Sequence, residues 1–102
     1  MILKKLEYGV KPVKVEEVKR AITQLVFNVK ENEPAVMFYE TFQLGNTGEF
    51  IHFISFMNPK AEEEHKKAGH TLEFFKSINA SIVKKPIYTD LNMIATNKTR
   101  LQ

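Results

Sequence analysis

The sequence contains no cysteine and no tryptophan. Without thiols there are no disulfides, zinc–thiolate sites, iron–sulfur clusters or cysteine nucleophiles. Apolar runs extend over only a few residues, far short of the roughly 20 that a helix needs to cross a bilayer. The N-terminal MILKKLEYGV lacks the apolar core of a secretory signal. These absences predict a cytoplasmic protein with no membrane partner. There is also no phosphate-cradling glycine loop, P-loop or nucleophile elbow, so no nucleotide or flavin cofactor is expected.

What is present is enough for one core. Of 102 residues 43% are hydrophobic, with eight Phe and three Tyr, too apolar a composition for a disordered chain. The length suits a single domain, which we place at residues 2–95, followed by a polar tail at 96–102. The net charge of +3 comes from the two ends. Residues 1–20 carry six Lys/Arg against three Glu and residues 84–102 carry four against Asp90, whereas the middle carries five against eight. No basic stripe interleaves with aromatics, so nucleic acid is not an expected partner.

Residues 2–10 alternate, with Ile2, Lys4, Leu6, Tyr8 and Val10 on one face, which predicts a strand. Val15, Val18, Ile22, Leu25, Val26 and Val29 then recur at helical spacing, predicting an amphipathic helix over about 14–30 that ends before Pro34. Residues 35–44 and 49–57 are strand-like around Gly45-Asn46-Thr47-Gly48, which predicts a hairpin. If the two glycines face each other, Phe38 lies opposite Ser55, Glu40 opposite Phe53 and Phe42 opposite Ile51. The other face then carries Met37, Tyr39, Thr41 and Gln43 beside Phe50, His52, Ile54 and Phe56. Asn58-Pro59 opens a second helix with Ala61, His65, Ala68, Leu72 and Phe75 in one stripe, broken near Gly69-His70 into pieces at about 59–68 and 70–80. A last strand is predicted over 86–95.

The order β-α-β-β-α-β predicts an α+β, ferredoxin-like split βαβ fold, with the second helix in two pieces over one face of an antiparallel sheet. Phe38, Phe42, Ile51 and Phe53 then leave an apolar patch on the uncovered face. A second copy packed sheet to sheet would cover it, which predicts a homodimer closing a dimeric α/β barrel.

KPVKVEEVKRAI, NEPAVMFYETFQ, the glycine turn and EFIHFISFMNPKAEEEHKKAGHTLEFF together resemble the antibiotic biosynthesis monooxygenase (ABM) family of dimeric α/β barrels. The resemblance runs from about 10 to 94 and rests on Pro12, Glu33-Pro34-Ala35, Tyr39, Phe50, Ala61, His65 and His70. Ile54 stands where the family has Glu, Phe56 where it has Trp and Ala35 where it has Gly. The first strand has no Asn, and with no Trp the haem-degrading branch is not implied. The resemblance implies an oxygenase without a bound cofactor, in which an electron-rich phenol or quinol supplies the electrons and the protein supplies a dry pocket and a base.

His65 interrupts an apolar stripe and therefore faces the sheet. It is either a structural imidazole or, as the resemblance implies, a general base lining the pocket. His52 and Tyr39 share a sheet face and either orient substrate or satisfy one another. Phe56, Ile54, His70 and Phe75 are the expected pocket walls, while Phe74 reads as core. Two histidines without a carboxylate at ligand spacing do not make a metal site, so none is predicted. The rival readings are an isomerase or lyase acting on a small carbonyl compound, and a non-catalytic small-molecule-binding dimer.

Overall fold

The computed structural model describes residues 1–98, and the remainder of the expected polar tail, 99–102, lies outside the described residues. Strand β1 (Ile2–Val10) leads through a short 3-10 turn (Pro12–Lys14) into helix α1 (Val15–Asn32). Strands β2 (Val36–Gln43) and β3 (Glu49–Phe56) form the hairpin. Helices α2 (Pro59–Lys67) and α3 (Gly69–Ile78) follow, and a 3-10 turn (Asn79–Ser81) leads into strand β4 (Ile82–Leu91). The sheet has the order β2-β3-β1-β4 with antiparallel neighbours throughout. This is the split βαβ arrangement anticipated from the pattern of elements.

The hairpin register agrees with the glycine-to-glycine expectation: Phe38 pairs with Ser55, Glu40 with Phe53 and Phe42 with Ile51. A shift between Val36 and Phe38 takes Met37 out of that register. Met37 is exposed and lies at the irregularity, where simple alternation does not hold. Gly45 has φ +54, the left-handed conformation that a β-carbon penalises. At Gly48 a β-carbon would run into the Val10 carbonyl oxygen. Both glycines are thus required by backbone geometry.

The helices cover one sheet face. Val18, Ile22, Leu25 and Val29 of α1 meet Leu6, Tyr8 and Val10 of β1, Phe50 of β3, and Phe74 and Ile78 of α3. Burying each such side chain contributes roughly 1.5–3 kcal/mol. Ile54, Phe56 and Ala61 form a satellite core beneath α2, with Ala35, Val36 and Tyr39 packed against it. Lys4 ties the strands to α2 through an ion pair with Glu62 at 3.2 Å and another with Asp90 of β4.

Two expectations need correction. The final strand starts at Ile82 instead of 86 and ends at Leu91. Pro86 does not begin it, because β4 is an edge strand and its pairing with β1 shifts between Glu7 and Gly9, where a residue lacking an N–H is tolerated. The second correction concerns the helical stripe. Ala68 is extended (φ −61, ψ 141) and interrupts the helix, so α3 buries Thr71, Phe74 and Ile78. Leu72, expected in the stripe, is exposed.

Candidate active site

Pro34 sets the geometry of the site. It forces the preceding residue out of the helical region, and Glu33 caps α1 with φ −126 and ψ 75 while its N–H still donates to the Val29 carbonyl at 2.9 Å. From this corner the Glu33 carboxylate reaches the break between α2 and α3. His65 Nδ1 lies 3.0 Å from both carboxylate oxygens, and His70 Nε2 hydrogen-bonds to Oε2. In a continuous helix two residues five apart would point about 140° away from each other. The extended Ala68 removes that divergence and brings both imidazoles onto one carboxylate.

The three residues differ in access. His65 is buried, under Phe56 and Tyr39 with ring centroids 5.5 and 5.7 Å away, and Thr71 Oγ1 lies 3.5 Å from its Nδ1. Glu33 and His70 are partly open and line a cleft of about 300 Å³ with Pro34, Ala35, Ala61 and Glu64. His70 also borders a groove of about 470 Å³ between α1 and α3, walled by Gln24, Asn28 and Glu73. Glu33 is not among the walls of that larger groove, so the smaller cleft is where a carboxylate and an imidazole meet a common space.

A second network lies deeper. His52 is fully buried, with Tyr39 Oη 2.7 Å from Nδ1 and Tyr8 Oη 2.8 Å from Nε2. A neutral imidazole has one N–H and one lone pair, so one phenol accepts and the other donates. Burial, with the nearby His65 adding to it, pushes the His52 imidazole down to about 3. Burial likewise raises both phenols above their ordinary value. The three groups stay neutral at physiological pH and occupy both His52 nitrogens.

The expected site residues therefore separate. Tyr39 touches both His52 and His65, hydrogen-bonded to the first at 2.7 Å and with ring centroids 5.7 Å apart from the second. His70 lines the cleft. Ile54 and Phe56 are fully buried in the satellite core and are not walls of the cleft, while Phe75 packs on Phe74 at 5.3 Å. Two members were not recognised from the sequence. Tyr8 was visible as an inward position of β1 but was not linked to His52. Glu33 carries in the sequence only the signal of a helix stop and of the Glu-Pro pair.

No family profile and no curated protein matches this chain. Solved structures do match over nearly its whole length. An antibiotic biosynthesis monooxygenase superimposes with a TM-score of 0.84 at 19% identity, covering 93% of this chain and 100% of its own. The fold is that of the antibiotic biosynthesis monooxygenases. A candidate member from Nitrosomonas europaea gives a TM-score of 0.84 at 17% identity, covering 91% of this chain and 89% of its own. Rv0793 from Mycobacterium tuberculosis gives 0.83 at 13% identity, covering 95% and 98%. The ABM fold thus accounts for both layers described above, sheet and helices. At such identities it carries the architecture and not the activity.

Proposed function

We propose that this protein is an oxygen-dependent monooxygenase acting on a small electron-rich phenol or quinol, with the substrate and not a bound cofactor supplying the electrons. The observation that carries the reading is the Glu33–His70 pair opening on a small cleft in an ABM fold. His70 uses Nε2 against Glu33, which leaves Nδ1 to take the phenolic proton. Glu33 fixes the imidazole tautomer and stabilises the imidazolium that forms, and buried His65 holds Glu33 in place. His65 then acts through Glu33, and Tyr39 and His52 shape the floor beneath it.

The chemistry balances without a cofactor. With a phenol, the phenolate reduces dioxygen and one oxygen atom bonds to a ring carbon and becomes the second carbonyl of a quinone; a quinol takes the oxygen as a ring hydroxyl and becomes a hydroxyquinone. The other oxygen leaves as water, carrying the hydrogens that the substrate loses. A cleft of about 300 Å³ suits a compact aromatic compound at the lower end of ligand-pocket sizes. We further propose a homodimer through the open sheet face. Phe38 and Phe42 are exposed there, with Phe42 edge-on to Phe53 at 5.9 Å and Ile87 exposed on β4, an apolar surface that a second sheet would cover. Among the described residues no helix is long and apolar enough to cross a membrane.

The test is product formation from a panel of hydroquinones, naphthols and polyphenols, in air and under strict anaerobiosis. The reading expects turnover only in air, with oxygen uptake matching product. Equal turnover without oxygen would replace it with an isomerase or lyase using the same proton relay.

A further inference from the structure

We infer that Glu33, His65 and His70 form a binding site for a divalent first-row transition ion, with zinc or cobalt(II) as the ions to try first. The three ligand atoms all lie within 4.8 Å of one another. Each Glu33 oxygen is 3.0 Å from His65 Nδ1. Neighbouring ligands held at about 2.1 Å in octahedral coordination are separated by about 3.0 Å, and in tetrahedral coordination by about 3.4 Å. Glu33 and His65 are therefore spaced as neighbouring ligands around an ion of this size would be. Small rotations that turn His70 Nε2 from the carboxylate toward the common centre would complete the set.

The donor chemistry narrows the ion. Two imidazoles and one carboxylate favour zinc, cobalt, nickel or iron over calcium and magnesium, which take mainly oxygen ligands. Three protein ligands with one side open to a cleft of about 300 Å³ leave room for water or another small ligand and an entry path for the ion. The chain has no cysteine to compete for a soft ion. His52, the remaining histidine, is enclosed with both ring nitrogens in use.

The site is independent of the monooxygenase reading but bears on it. An ion would take His70 Nε2 and the Glu33 carboxylate, the two groups whose hydrogen bond sets up the proton acceptor. Ion binding and proton transfer would then exclude each other, so zinc would inhibit turnover.

The experiment is calorimetric titration of untagged, chelator-treated protein with Zn²⁺, alongside the visible spectrum of the Co²⁺ form. One ion should bind per chain, and Co²⁺ should give the ligand-field bands of nitrogen–oxygen coordination. Glu33→Gln and His70→Ala should each weaken binding by at least about 100-fold, while Glu63→Gln on the exposed face of α2 should leave it unchanged. Both affected side chains are partly open, and circular dichroism checks that each variant folds. Absence of saturable Zn²⁺ and Co²⁺ binding, or wild-type affinity in Glu33→Gln and His70→Ala, would overturn the proposal. Because no substrate is present, its failure is separate from failure of the oxygenase reading.

Discussion

Between about pH 7.5 and pH 5 an imidazole in the unfolded chain takes up a proton, whereas His52 in the folded protein does not. Its folded value is held near 3 by burial, against an ordinary value of 6.5. Across that window the unfolded state binds more protons, so stability falls as the pH falls. The contribution is fully present above about pH 7.5 and is lost progressively on acidification, at up to about 1.4 kcal/mol per pH unit. At pH 5 this one residue lowers stability by about 2 kcal/mol. Urea unfolding at the two pH values measures the change. Carboxylates also begin to titrate near pH 5, so the wild type is compared with His52→Gln, whose pH dependence should be shallower by about 2 kcal/mol. An imidazole carbon resonance of His52 gives the direct readout and should not shift until the pH is below about 4. A midpoint near 6.5 would refute the reasoning, since it would mean that the ring is solvated and not enclosed by two phenols.

Three further outcomes are expected. Tyr39→Phe leaves one His52 nitrogen without its partner in a buried setting and should cost about 1–3 kcal/mol in urea unfolding. Phe42→Asp puts a charge on the open sheet face and should convert the proposed dimer to a monomer in light scattering, with the circular dichroism spectrum unchanged. Asn58 Oδ1 accepts a hydrogen bond from Ala61 N at 2.8 Å to cap α2, and Asn58→Ala should lower stability by about 1 kcal/mol.

The elements that could be read from the sequence are those whose signals are local. Alternation in β1, the 3.6-residue stripe of α1 and the glycine turn each lie within a few residues of what they specify, and the hairpin register follows from the turn. Legibility fails where one residue resets a period. Ala68 has no composition signal for an extended backbone, yet it moves the buried face of α3 by one position, and Met37 is displaced by a shift that alternation cannot encode. The edge position that admits Pro86 is a property of the whole sheet. The site was legible only in pieces. His65 announces itself by interrupting an apolar stripe, but its partner Glu33 lies 32 residues earlier, and only the Pro34 corner and the helix break bring the two together. Glu33 does not stand at ligand spacing from the histidines along the sequence, and the folded chain brings it to them from a distance.

The central claim is that Glu33, held by His65 and paired with His70, is the working centre of an oxygen-consuming enzyme. Oxygen uptake by metal-free wild type and Glu33→Gln, measured against the same panel of electron-rich phenols, tests it most directly. The account predicts uptake with at least one compound in the wild type and a fall of at least about 100-fold in the variant. No uptake across the panel, or the same rate in Glu33→Gln, would contradict it.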